Sequence, residues 1–155
     1  LDWNIPDWGM GQVELVQKLA KLRHDYPILR RGRFFTGTPI TDMDVKDVTW
    51  INASGDEMEG SDWGDPHMKC FGMLIDGRAQ ATGIRKPGSD VTMLIVANAH
   101  HDMVTFTLPD CTDGQAWDLV FDTNVPERDD AQRFAIGETY DVTNNSLLLF
   151  ALKAA

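Results

Sequence analysis

One segment near the start of the chain has a helical pattern that is apolar over about half of its circumference. Between residues 11 and 26, a rotation of about 100° per residue places the apolar residues together. The apolar side carries Val13, Leu15, Val16, Leu19, Ala20 and Leu22, and the polar side carries Glu14, Gln17, Lys18, Lys21, His24 and Asp25. Because an ordinary surface helix buries a stripe of about 100°, this pattern predicts a helix with two packing partners. Pro27 should end it.

Arg23 projects into the middle of the apolar side of this predicted helix. If it were buried, its guanidinium would need a carboxylate or free carbonyl groups. The last turn of a helix favours a cation, and an arginine stem can lie along apolar surface while its tip reaches water. We therefore expect Arg23 to cap the last turn.

Short strand patterns separated by turn residues dominate the rest of the chain. Residues 103–108 and 116–121 alternate between apolar and polar, as in a half-buried strand. Residues 91–97 are almost continuously apolar, which predicts a strand covered on both faces. Further strands are predicted at residues 33–36, 47–52, 69–75, 139–143 and 146–152. The series predicts a mainly β fold, an antiparallel β-sandwich or barrel, after the one long helix.

Turn residues indicate how these strands connect. Asp76-Gly77 is a suitable pair for a tight turn after residues 69–75. Residues 99–102 are predicted to form the hairpin turn between the strands on either side of them, and Asn144-Asn145 to form the last turn. Since the final strand is very apolar, we expect it inside a sheet and not on an edge.

The charge of the chain excludes some classes of partner. A formal net charge of −10 and a pI of about 4.6 argue against binding to nucleic acid or to an anionic membrane surface. No apolar run approaches the ~18 residues of a membrane-spanning helix. The basic cluster at residues 30–33 could indicate RNA, but in so acidic a chain a solvated connector is the better interpretation.

Motifs for catalysis, cofactors or metals are weak. Cys70 and Cys111 lack the spacing of a zinc site, and free thiols fit better than a disulfide, although one bridge stays open. His100-His101-Asp102 has the residue types of a metal site, but neighbouring side chains of an extended chain point to opposite faces, which favours a surface turn. The acidic loop at residues 52–67 is interpreted as a solvated charged face. No cofactor, no metal site and no catalytic pair of carboxylates is predicted.

The tryptophans divide into core residues and candidates for stacking on sugar. Trp117 lies on an alternating apolar face and is predicted to be in the core, and Trp50 is assigned there too. Trp63, in the acidic loop, and Trp3 and Trp8, in the first turns, are better placed to stack on a sugar ring. Structural packing remains the more common role for such rings.

Short motifs follow one another in order along the chain: Leu1-Asp-Trp3, residues 19–35, Asp47-Val-Thr-Trp50, Gly55-Asp-Glu-Met58, Asp62-Trp63, residues 97–102, residues 106–109 and residues 117–123. This series resembles the C-terminal region of bacterial glycogen debranching enzymes of the isoamylase type, in the α-amylase clan. It covers nearly the whole chain.

The resemblance implies a parent with an N-terminal β domain, a catalytic (β/α)₈ barrel and a C-terminal β-sandwich. Residues 1–30 would be the last loop and helix of the barrel, and residues 31–155 the sandwich. The missing barrel would then be the second partner of the helix. The chain begins without methionine, which also leads us to expect a piece of a longer protein.

Such a parent, in the bacterial cytoplasm, hydrolyses α-1,6 branch linkages of glycogen limit dextrins. Its catalytic residues come from barrel strands before residue 1, so the resemblance supplies no catalytic residue here. Asp2 and Trp3 match the motif after the last barrel strand, near the end where barrel active sites lie. With Trp63, they are the substrate-binding candidates.

We expect a non-catalytic domain that mainly supports the barrel. The alternatives are a carbohydrate-binding module for glycogen or limit dextrin, an oligomerisation module and an independent enzyme.

Overall fold

One long helix and a set of antiparallel strands form the protein, as the sequence predicts. The computed structural model describes residues 5–32, 34–40, 45–79, 90–111, 114–125 and 132–154. Helix α1 spans Asp7–Asp25 and is followed by a 3₁₀ turn at Pro27–Arg30. A second, four-residue helix, α2, spans Gly60–Trp63. Pro27 thus ends α1, because its ring clashes with the preceding turn and it has no N–H to donate.

The strands of the described residues form one large sheet and two small ones. They are β1 (Pro39–Ile40), β2 (Val45–Lys46), β3 (Val48–Ile51), β4 (Cys70–Ile75), β5 (Met93–Asn98), β6 (Val104–Thr107), β7 (Gly114–Asp122), β8 (Gln132–Ala135), β9 (Thr139–Val142) and β10 (Ser146–Ala154). The large sheet has the order β3-β4-β5-β10-β7-β8, and β1 pairs with β2 and β6 with β9, always antiparallel. The last strand lies between β5 and β7, so its predicted interior position is confirmed.

The inner face of the large sheet packs against the β6-β9 sheet. Phe106 of β6 and Val142 of β9 are fully buried in one cluster with Leu94, Trp117 and Phe150 from the large sheet. Successive side chains of a strand point to opposite faces of the sheet, so these inner residues alternate with outer ones along each strand. This two-layer arrangement is the predicted antiparallel sandwich.

The outer face of the large sheet carries a second cluster, under α1 and the 3₁₀ turn. Ile28 of the turn is buried there with Met93, Phe121 and Leu149. The two clusters explain why β5 and β10 are apolar along their length, since both of their faces are covered.

The predicted hairpin between β5 and β6 is wrong, because these strands belong to different sheets. Asn98, at the end of β5, is buried, and its Nδ2 donates to the carbonyls of Asp102, Val142 and Thr143 at 3.1, 3.1 and 3.0 Å. Its Oδ1 accepts the N–H of His100 at 2.9 Å. One amide therefore directs the chain out of the large sheet and joins it to the end of β9.

One other local prediction differs from the structure, because residues 34–36 are not in a strand; residue 33 lies outside the described residues. After β4, the predicted tight turn at Asp76-Gly77 is present. The N–H of Ala79 donates to the carbonyl oxygen of Asp76 at 3.2 Å, in a 3₁₀ turn at Gly77–Ala79. The backbone approaches closely there, since a Cβ on Gly77 would lie 2.1 Å from the carbonyl oxygen of Asp90.

Candidate functional site

Helix α1 has one apolar flank against the sheet and one facing solvent. Leu15 and Leu22 pack on the outer cluster. Val13, Val16 and Leu19 are 37%, 62% and 42% exposed. Full burial of such a side chain stabilises by about 1.5–3 kcal/mol, so the exposed flank, defined by these three residues, has the composition of a contact surface. In the part of the chain that the structure describes, one of the two predicted packing partners of the helix, the large sheet, is present.

Arg23 belongs by its helical position to the exposed flank, and its side chain is not buried. It is exposed in the last turn of α1, where the carbonyl ends of the helix favour a cation. The predicted capping position of Arg23 is consistent with this placement.

Arg31 is not part of a solvated connector, which corrects the interpretation of the basic cluster. Its Nη2 lies 2.9 Å from Oδ2 of Asp47, and both side chains are largely buried. The guanidinium also lies 4.4 Å over the ring of Phe35. The same carboxylate accepts the N–H groups of Thr36 and Gly37 at 3.1 and 2.9 Å. These bonds hold residues 34–37 as an irregular segment in place of the predicted strand.

The environment of Asp47 lowers the pKa of its carboxyl group. Desolvation by itself would raise that pKa, but the backbone N–H groups of Gly37 and Thr36 and the charge of Arg31 outweigh it. Because the pKa is lower in the folded state, the stabilisation is complete above the unfolded value of about 3.9. It is lost as the pH falls through the folded value.

Asp47→Asn should therefore cost about 1–3 kcal/mol of unfolding free energy at pH 7. The difference in unfolding free energy between the variant and the unmodified chain should shrink below about pH 4, because the unmodified chain loses the same interaction there. Urea denaturation at several pH values measures both effects. Asp25→Asn, which removes an exposed ion pair with Lys21, is the control and should leave the midpoint unchanged. A pH-independent difference for Asp47→Asn would contradict this assignment.

Trp63 is exposed, as expected for a residue of the acidic loop, and it belongs to a small aromatic cluster. Trp63 is 60% exposed and forms a T-shaped pair with Trp50, with ring centroids 5.8 Å apart and planes at 79°. Trp50 in turn lies 5.8 Å from Phe71 at 60°. Trp50 is half-buried on the outer face, so its assignment to the core is wrong, whereas Trp117 is fully buried as predicted. Asp2 and Trp3 lie outside the described residues, as does the side chain of Trp8.

The acidic loop around this cluster is a solvated face held by its own turns. Glu59 and Asp62 form a reciprocal capping box at the start of α2. Oδ2 of Asp62 accepts the N–H of Glu59 at 2.9 Å, and Asn52 Nδ2 approaches the same oxygen at 3.4 Å. Glu57 pairs with Lys46. The predicted charged face is thus present, with its turns fixed by hydrogen bonds.

His100 and His101 stack on each other, which the expectation of opposite faces missed. Their ring centroids are 4.2 Å apart with planes at 23°, and one ligand atom from each ring and from Asp102 lie within 4.8 Å of one another. The chain bends here and is not extended. Ring lone pairs lie in the ring planes, so nearly parallel stacked rings do not aim at a common ion. His100 Nδ1 already accepts the N–H of Asp102 at 2.9 Å. The surface-turn interpretation fits this geometry best.

Neither cysteine is in a disulfide. Burial raises the pKa of the Cys70 thiol to about 11, and burial with the nearby Asp76 raises that of Cys111 to about 12. Both groups are therefore protonated and unreactive near neutral pH.

A groove of about 520 Å³ lies beside the 3₁₀ turn on the outer face. Its lining includes Ile28, Phe34, Phe35, Met73 and Ile95. Phe34 is 97% exposed at its rim. The outer face of the sheet is therefore only partly covered by α1.

No helix in the described part of the chain has the length and apolarity to cross a membrane.

Comparison with known proteins agrees with the sequence motifs. Residues 47–151 match the family described as "Isoamylase, C-terminal". The chain is 33% identical over 154 residues to the "Glycogen operon protein GlgX homolog" of Mycobacterium bovis and to those of two strains of Mycobacterium tuberculosis. Each match covers 96% of this chain and 21% of the relative, so the chain spans about a fifth of their length. The resemblance found in the sequence is confirmed, and the chain belongs to the isoamylase C-terminal domain family.

Proposed function

We propose that this chain is the non-catalytic C-terminal domain of a bacterial, cytoplasmic glycogen debranching enzyme. The catalytic barrel of that enzyme would hydrolyse α-1,6 linkages of glycogen limit dextrins. The family match and the 33% identity to proteins named for a glycogen operon support this proposal. So does the small share of the relatives that the chain covers, since it leaves room for a separate catalytic domain.

The role of the domain is to pack on the catalytic barrel. Residues 1–30 would complete the barrel as its last loop and helix while packing on residues 31–155, the sandwich. The observation that carries this proposal is the exposed flank of α1, while Leu15 and Leu22 already pack on the sheet. A barrel against that flank would bury the remaining apolar side chains.

The test is a double substitution in the exposed flank, Val16→Asp with Leu19→Asp, made in the longer protein that contains this chain. Buried at a domain contact, two carboxylates should lower the melting temperature and the release of reducing ends from a branched limit dextrin. Met103→Asp is the control, because Met103 is 61% exposed and directly precedes β6, which packs on the opposite face of the large sheet from α1. It should change neither quantity.

Two further measurements separate this role from its rivals. Unchanged melting and activity in the double variant would contradict packing on the barrel. Sedimentation would detect the oligomerisation alternative. In that case the longer protein would sediment as a dimer, and the double substitution would dissociate it. Loss of the sandwich with full retention of debranching activity and stability would also overturn the structural role.

A further inference from the structure

We propose that Trp63, supported by Trp50, is a surface contact for a neutral α-glucan chain. The site lies wholly within this domain, on α2 and the outer side of β3. The choice of an α-glucan among polysaccharides rests on the proposed function. The existence of a sugar-binding ring rests on the geometry and charge of the aromatic cluster and its loop.

The ring of Trp63 is presented in a fixed orientation. It is the last residue of α2, a helix of four residues that the Glu59–Asp62 capping box holds in place. Trp50 makes a T-shaped contact with it, with ring centroids 5.8 Å apart, and Trp50 is held by β3 and by Phe71 of β4. A ring that is 60% exposed yet supported from below loses little conformational entropy when a ligand binds.

The chemistry around the ring suits a polyhydroxyl ligand. The face of an indole is electron-rich and attracts the weakly positive C–H groups of a pyranose face. Hydroxyl groups at the edge of the sugar need acceptors, and carboxylates are strong ones. Glu59 and Asp65 are exposed on either side of Trp63 in the sequence, and each keeps acceptor sites beyond its bonds within the loop.

The charge of the loop argues against other occupants. Five carboxylates surround Trp63 in the sequence: Asp56, Glu57, Glu59, Asp62 and Asp65. The centre of a protein–protein contact is depleted of Asp and Glu. Nucleic acids and other polyanions would be repelled by this loop and by the net charge of −10. A neutral glucan is not repelled by these charges, and its hydroxyl groups can donate hydrogen bonds to the carboxylates.

Affinity electrophoresis of this chain in native gels containing glycogen tests the site. Glycogen should retard the unmodified chain, and Trp63→Ala should raise the apparent Kd by about tenfold or more, as truncation of a Trp hot spot does. Trp63→Phe should fall between the two, because it keeps an aromatic face. Phe34→Ala is the matched control, since it removes a more exposed aromatic ring outside the cluster. Glycogen should retard this variant as much as it retards the unmodified chain.

The outcomes separate this inference from the proposed function. Equal mobility of the parent with and without glycogen, or equal retardation of the parent and Trp63→Ala, overturns the sugar contact. Equal retardation by a mixed-linkage β-glucan overturns the α-glucan assignment. The assay of the longer protein on branched dextrin tests the proposed function alone. Its result does not depend on the result of these gels.

Discussion

Replacing Trp117 by alanine should remove about 3–5 kcal/mol from the free energy of unfolding. The side chain is fully buried in the inner cluster, between the two sheets. Its Nε1 donates to the carbonyl oxygen of Pro109 at 3.0 Å, so the truncation also leaves a buried acceptor without its donor. Since a domain of this size has only about 5–15 kcal/mol of stability in total, the variant should be close to unfolding at 37 °C. Urea denaturation followed by circular dichroism measures the loss.

Trp63→Ala is the matched control for that experiment. The chemical change is identical, but the ring is mostly exposed and makes one T-shaped contact with Trp50. We expect its unfolding free energy to change by less than about 1 kcal/mol. Similar midpoints for the two variants would show that Trp117 does not contribute to the core as the structure indicates.

Asn98→Asp should be about as damaging at pH 7, at about 3–5 kcal/mol. The substitution replaces one nitrogen of the side chain by oxygen and changes the size and shape of the side chain very little. It nevertheless replaces the NH₂ donor by a charged oxygen that faces the carbonyls of Asp102, Val142 and Thr143. A buried, unpaired charge then lies among three acceptors at the junction of the sheets.

The sign of the pH dependence distinguishes this mechanism from a simple packing defect. Repulsion from three carbonyl oxygens should raise the pKa of the new carboxyl group above its unfolded value of about 3.9. The protonated form can donate one hydrogen bond, so stability relative to the parent should recover as the pH falls and be lost again as it rises. Denaturation at pH 5 and pH 7 measures this. Asn144→Asp, at an exposed position of the next turn, should show neither the loss nor the recovery.

The strands that could be predicted are those whose pattern reflects burial. β5, β7 and β10 each bury an alternating or continuous set of apolar residues, and the sequence shows it. β8 was missed because it is an edge strand with a polar surface. Its Arg133 pairs with Asp118 across to β7 at 2.7 Å, and only Phe134 packs inward. A strand that packs a single apolar side chain inward leaves no periodic pattern in the sequence.

Strand pairing and buried polar contacts were less predictable, since they depend on residues far apart in the chain. The assumed β5–β6 hairpin followed the usual preference for adjacent strands, which the bonds of Asn98 to Val142 override. The burial of Arg31 depends on Asp47, sixteen positions later. The candidate site was predictable in part. Trp63 is exposed in a loop, as its polar surroundings suggested. Its support by Trp50 needed the structure.

The position of β10 has a consequence for how this domain is made. It is synthesised after the other strands of the large sheet, yet it pairs with β5 on one side and β7 on the other. During translation, therefore, the edges of these two strands that face β10 have unpaired backbone groups until β10 is made. The apolar residues of the future interior are exposed to water over the same period. The domain cannot close until its final segment has left the ribosome. The interval before closure is when the nascent chain most needs protection from self-association.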